Sequence, residues 1–194
     1  TTASGSDTSA RPGSAGRALP LTEIRIAPRP GLADGEILIR SPTQMLGYHG
    51  VAESPIDAEG WLETGDLGRL DEAGFVWITG RSKDIIIRGG ENIAPAAVEE
   101  ALAAVPGVIE AAVFGLPHAD LGEEVMAAVV VDRPISGAEL AAALRGAVAS
   151  FAMPSRWHIQ SDPLPVNLTG KVDKQAVRAA ILAGLPPDRG GAAR

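Results

Sequence analysis

The chain has 194 residues, 45% of them apolar, with no cysteine and a net charge of −7. That length can bury a real core and leaves room for one or two domains. The negative balance, without any basic stripe, excludes a general nucleic-acid binder, because neutralising phosphates takes clustered Lys and Arg. The absence of Cys excludes disulfides, thiol nucleophiles and Cys-type metal sites.

The first twenty residues, TTASGSDTSARPGSAGRALP, are small, polar and rich in turn formers, and read as a loop or loose end. TEIRIA (22–27) and GEILIRS (35–41) follow, the first with Ile24 and Ile26 on one face. The breaker-rich PRPGLADG between them predicts a hairpin with a long loop. GFVWITG (74–80), after the turn DEAG, is a further strand. These strands have no predicted helix to cover them and no evident complete core of their own.

The pattern changes near residue 84. DIIIRGGENIAP reads as strand, Gly-rich turn and short strand. Pro95 suits a first helical turn, and Val98, Ala101, Leu102 and Val105 follow the spacing of a buried helix face. Pro106-Gly107 stops that helix, and two strands follow, roughly Val108–Leu116 and Glu123–Asp132. Ser136 and Glu139 form a capping box ahead of Leu140, Leu144 and Val148. A short strand near Trp157–Ile159, a Pro-rich loop, a helix opened by Asp173 and a disordered tail, PPDRGGAAR, complete the series. The fold class is α+β, with a domain of about 100 residues after the change of pattern. The longest apolar run, VMAAVVV (125–131), is too short to span a bilayer, and nothing at the start resembles a signal peptide. No integral membrane segment is expected, a cytoplasmic location fits, and the Asn167-Leu168-Thr169 match to a glycosylation site is read as accidental.

Four stretches could carry chemistry: GWLETGDLG (60–68), GRSKDIIIRGGENI (80–93), GLPHADLGEEV (115–125) and PLPVNLTGKVDK (163–174). Taken singly, each has a plainer reading. Thr64-Gly65-Asp66 suits a turn, and Gly89-Gly90 suits a hairpin. Arg81 to Asp84 suits a charged loop at a domain boundary, and Asp120, Glu123 and Glu124 suit a solvated loop beside a strand. Gly170-Lys171 is not a Walker loop, since no Gly lies five residues before Gly170 and Val172 takes the Ser/Thr place. His49, His118 and His158 lack the spacing of a metal-ligand pair, and no G-x-S-x-G element marks a nucleophile. No metal site is expected.

In this order the four stretches resemble the adenylate-forming superfamily of acyl-CoA synthetases, peptide-synthetase adenylation domains and beetle luciferases. The resemblance runs from PGSAGRALPLTEIRI through GEILIRSPTQMLGYHG to about Leu182. It implies a chemistry in two steps: a carboxylate and ATP give an acyl-adenylate and pyrophosphate, a small C-terminal domain rotates, and the acyl group passes to a thiol. Asp66 matches the aspartate that binds the ribose hydroxyls, a task suited to two acceptor oxygens. Arg81 matches an arginine that holds the ribose region, and Lys83 matches the hinge. Arg88, Gly89, Gly90, Glu91 and Asn92 match the loop lining the pantetheine tunnel. Lys171 matches the lysine that enters the site for adenylation.

The resemblance also sets the expected domains: residues 1–80 as the distal, β-rich part of an N-terminal AMP-binding domain, 81–84 as hinge, 85–185 as a mobile lid of antiparallel or mixed sheet with about three helices, and 186–194 as tail. The family's phosphate loop, adenine-binding segment, Mg²⁺-binding glutamate and most of its acyl pocket have no counterpart in these residues. The expectation is therefore a C-terminal piece of an acyl-CoA synthetase, inactive alone and binding none of its ligands tightly. The parent's partners would be a carboxylic acid, ATP, Mg²⁺, CoA and the absent N-terminal domain. The alternatives are an enzyme that loads a carrier-protein thiol, and a non-catalytic piece that binds a separate N-terminal half.

Overall fold

A computed structural model describes residues 1–2, 9–50 and 52–184; the tail expected at 186–194 lies outside them. The chain divides into two compact units, Thr1–Lys83 and Asp84–Arg194.

The first unit is an antiparallel sheet. Its strands are β1 (Gly16–Arg17), β2 (Glu23–Ala27), β3 (Gly35–Arg40), β4 (Leu62–Leu70) and β5 (Phe75–Arg81), in the spatial order β1-β5-β4-β3-β2. The predicted hairpin is β2–β3, with Ile24 opposite Ile39 and Ile26 opposite Ile37. Two features depart from the sequence reading. Gly16-Arg17 is not loose: it pairs with Val76 and Phe75 at the open edge of β5, where backbone groups accept a partner of almost any sequence. The second departure is β4, the stretch LETGDLGRL, which has a poor strand composition yet lies between β3 and β5. Ladders on both sides override its weak propensity.

Ile37, Leu38, Trp61, Leu67, Phe75 and Val76 form the buried apolar set of this unit. Arginine side chains supply part of its cover. Arg11 and Arg17 stand 4.1 and 4.4 Å from the Phe75 ring centre, and Arg25 and Arg40 stand 4.5 and 4.6 Å from that of Trp61. The guanidinium groups themselves lie over the ring faces, where a cation is drawn to the π-system.

The second unit comprises β6 (Ile86–Arg88), β7 (Glu91–Ile93), α1 (Pro95–Ala103), β8 (Val108–His118), β9 (Gly122–Val131), α2 (Gly137–Ala143), a 3₁₀ turn at Ser150–Ala152, β10 (Arg156–Gln160) and α3 (Lys174–Gly184). β9 is central: it pairs antiparallel with β8 along its length, parallel with β10 and antiparallel with β6 at Gly122. Its apolar run is a strand buried on both faces. Val125, Ala127, Val129 and Val131 share a core with Val98 and Leu102 of α1 and Leu140 of α2. Met126, Ala128 and Val130 share the other with Val177 and Ile181 of α3. The period of two thus sends alternate residues to different helices, and a strand covered twice needs no polar face. The architecture is α+β with a mixed sheet.

Local signals set the helix starts. Pro95 opens α1. The Ser136–Glu139 capping box is complete on both sides at α2. Asp173 Oδ1 accepts from the amides of Gln175 and Ala176 at α3.

Glu123 and Glu124 are not in a solvated loop. Both lie in β9, and Glu124 is buried, its carboxylate 2.6 Å from Arg156 Nε and accepting from the Ser155 hydroxyl at 2.9 Å. Arg156, the first residue of β10, and Ser155 just before it compensate its desolvation. Among the described residues no helix is long and apolar enough to cross a membrane.

Candidate functional site

The candidate residues fall into four local structures. In the first unit, Asp66 on β4 and Arg81 on β5 are direct cross-strand partners, with Arg81 Nε 2.7 Å from Asp66 Oδ1. The T-G-D motif is a kinked piece of strand rather than a connecting turn. The Thr64 hydroxyl donates to the Ile37 carbonyl at 2.7 Å and accepts from the Asp66 amide at 3.1 Å. Between them Gly65 takes φ +71°, a conformation that disfavours a side chain. The β4–β5 register shifts at Leu67/Gly68, so the carboxylate stands beside a bulge, a common means of aiming a side chain. A carboxylate offers about four lone-pair sites, so the contact with Arg81 leaves Asp66 acceptor capacity for hydroxyl donors.

Lys83 is the last residue of the first unit. It lies in a 3₁₀ turn, Ser82–Asp84, with its side chain exposed.

In the second unit, Arg88 to Glu91 make a tight hairpin: Arg88 pairs with Glu91 across Gly89 (φ +60°) and Gly90 (φ +89°). Two successive positive φ values select Gly-Gly in a two-residue turn whose twist matches the strands. The hairpin is tied down from outside. The Gly89 amide donates to the Leu121 carbonyl at 2.8 Å, the Ile87 amide to Glu123 Oε2 at 2.9 Å, and Arg88 Nη1 to the Phe151 carbonyl at 2.7 Å. Glu91 is exposed and Asn92 half-buried.

Lys171 closes a separate turn, Asn167 to Lys171, between the bridge residues Val166 and Val172. Among the described residues its ammonium makes no ion pair, and it has no hydrogen bond to the Arg88 hairpin. The structure therefore brings Asp66 to Arg81 and joins Arg88 to Asn92 in one hairpin, with Lys171 on its own loop.

Four further residues support these elements, and for three of them, Asn167, Glu99 and Lys174, no such role was read from the sequence. Asn167 and Thr169 organise the lysine turn; Asn with Gly three residues later is a recognisable side-chain-to-backbone turn signal. Glu99 and Lys174 form a 2.6 Å ion pair between α1 and α3, and no local pattern announces a contact across so many residues.

Residues 97–171 match the model of the AMP-binding enzyme C-terminal domain. That stretch is an AMP-binding enzyme C-terminal domain. A relative from Rhodococcus jostii, 3-[(3aS,4S,7aS)-7a-methyl-1,5-dioxo-octahydro-1H-inden-4-yl]propanoyl:CoA ligase, is 45% identical over 168 residues, covering 84% of this chain and 32% of that protein. The long-chain-fatty-acid–CoA ligase FadD13 of Mycobacterium tuberculosis is 36% identical over 181 residues, covering 90% and 36%. The o-succinylbenzoate CoA synthetase of Bacillus subtilis, solved with its acyl-adenylate intermediate, superposes with a TM-score of 0.81 at 34% identity, over 92% of this chain and 38% of that one. The chain spans about a third of the length of the curated relatives it matches. The AMP-binding C-terminal domain coincides with most of the second unit, and every element carrying Lys171 and its turn lies at or next to its matched end.

Proposed function

We propose that the protein carrying this chain is an ATP-dependent acyl-CoA synthetase. The observation that carries this reading is similarity over most of the chain, in both units, to relatives named as CoA ligases. In the first half-reaction a carboxylate oxygen attacks the α-phosphorus of ATP, the bond to the pyrophosphate oxygen breaks, and acyl-adenylate forms. In the second the CoA sulfur attacks the acyl carbon and AMP leaves.

The residue roles are those that the resemblance to adenylate-forming enzymes implies, and the chemistry and local geometry of each residue suit them. Asp66 accepts the ribose hydroxyls, held by Arg81, whose fixed fork of donors suits the same region. Lys171 enters for adenylation, and its ammonium stabilises charge that accumulates on the α-phosphate more in the transition state than in the ground state. Lys83, in a short turn at the unit boundary, absorbs the backbone rotation between the two steps. The Gly89-Gly90 hairpin lets a backbone approach the thin pantetheine arm. No group of three His, Cys, Asp or Glu side chains among the described residues is placed to hold a metal ion. The Mg²⁺ that accompanies ATP is assigned no ligand from this chain.

The test uses the whole synthetase carrying this chain. ATP–pyrophosphate exchange across a panel of carboxylates identifies the acid. Lys171→Ala then lowers adenylate formation roughly 100-fold or more, the range for losing one transition-state donor. Thioester formation from supplied acyl-adenylate stays within a few-fold of the parent. Equal loss in both half-reactions refutes the assignment.

A further inference from the structure

The turn that carries Lys171 has no core of its own. Residues 165–171 are all exposed, and the Leu168 side chain is fully in solvent. Apolar packing therefore cannot hold the turn in shape. Hydrogen bonds do, and they converge on one side chain. Asn167 Oδ1 accepts from the Thr169 amide at 2.9 Å, the Thr169 hydroxyl at 2.6 Å and the Lys171 amide at 3.1 Å. The Asn167 backbone completes the ring: its amide donates to the Lys171 carbonyl at 2.8 Å, and its carbonyl accepts from Gly170 at 2.9 Å. Gly170 supplies the left-handed corner, φ +78°. Lys171 is thus gripped at both its N–H and its C=O by the same residue.

Either side of the turn is anchored. Leu164 is buried against α3, and the Asp173 amide donates to the Pro165 carbonyl at 2.8 Å while its side chain caps α3. Between these anchors the backbone bonds of Asn167 close the turn, and its carboxamide fills it and fixes the Lys171 amide from inside.

We infer that Asn167 is the positioning residue for Lys171: its carboxamide oxygen, by filling the turn, presents the ammonium in one direction for the adenylation step. The inference rests on the proposed adenylation role of Lys171 and adds a residue that touches no substrate. All three groups on Oδ1 are donors, so any side chain of the same reach with an acceptor oxygen can replace it. Asn167→Asp keeps that oxygen; Asn167→Ala leaves three donors to water and lets the turn open. A displacement of about 1 Å at a catalytic group costs on the order of 100-fold in rate.

The experiment compares Asn167→Ala, Asn167→Asp, Thr169→Val and Lys171→Ala in the whole synthetase carrying this chain, with ATP, CoA and its carboxylate. Adenylation and thioesterification are measured separately. The expected result is a fall of roughly 10- to 100-fold in adenylation kcat for Asn167→Ala, with KM for ATP within about twofold. Asn167→Asp recovers most of that rate, Thr169→Val lies between, and thioester formation from supplied acyl-adenylate is within about twofold in all three. If Lys171→Ala abolishes adenylation but Asn167→Ala does not slow it, the inference is overturned and the role of Lys171 stands. Equal losses in both half-reactions, or no recovery by Asn167→Asp, mark a merely structural role and also overturn it. If Lys171→Ala leaves adenylation intact, the assignment of the lysine fails first, and this inference with it.

Discussion

Glu99 offers a prediction whose size follows from the geometry. One carboxylate oxygen, Oε1, accepts from the Val113 amide at 2.7 Å and lies 2.6 Å from Lys174 Nζ. Val113 is fully buried and sits in β8, which among the described residues pairs with β9 alone. Its amide on the outer edge of the sheet is thus satisfied by a helix side chain rather than by another strand. Glu99→Ala strands that donor, which costs about 1–3 kcal/mol. It also removes an ion pair whose members keep 22% and 29% exposure, so solvent screening holds that part to about 0.5–1 kcal/mol. The expected total is roughly 1.5–4 kcal/mol. Glu99→Gln retains an accepting oxygen and loses only the charge, so it costs about 1 kcal/mol or less. Urea unfolding, with amide exchange read at Val113, measures both variants. Exchange at Val113 should rise sharply for the alanine variant and little for the glutamine one. If the two variants destabilise equally, the Val113 amide is not what Glu99 satisfies. Lys174 begins α3, which follows the Lys171 turn.

Two further outcomes can be checked. Gly68 lies at the β4–β5 irregularity, where a Cβ would meet the Trp77 carbonyl and come within 2.8 Å of Ile37 Cδ1; Gly68→Ala should cost about 1–3 kcal/mol in thermal or urea unfolding, and a change below about 0.5 kcal/mol would contradict the packing. Lys83→Pro, in the turn at the unit boundary, should slow thioester formation roughly tenfold in the whole synthetase while adenylation changes less; an unaltered thioester step would remove Lys83 from the hinge role.

Much of the second unit was legible because its signals are local. The heptad-like spacing of Val98 and Leu102, Pro95, the Ser136–Glu139 box and Asp173 each act within a turn or two of chain. The Gly89-Gly90 hairpin was equally plain, since only its two central residues need positive φ. The first unit was harder. β4 carries Glu, Thr, Gly and Asp where a strand normally carries branched residues, and one of its two ladders comes from β3, more than twenty residues earlier in sequence. Glu124 misled for the same reason: Ser155 and Arg156, which compensate its burial, lie some thirty residues further on.

The sequence by itself determined the element order after residue 84, the family resemblance and the identity of the residues offered for chemistry, because motifs and periodicities are properties of adjacent positions. Tertiary structure alone decided that T-G-D is a bulged central strand, that Arg81 engages Asp66, and that the apolar run of β9 feeds two cores. It also decided that Lys171 is held by Asn167. Each of these depends on groups that meet through folding, where hydrogen bonds and burial outweigh the preferences of any single residue.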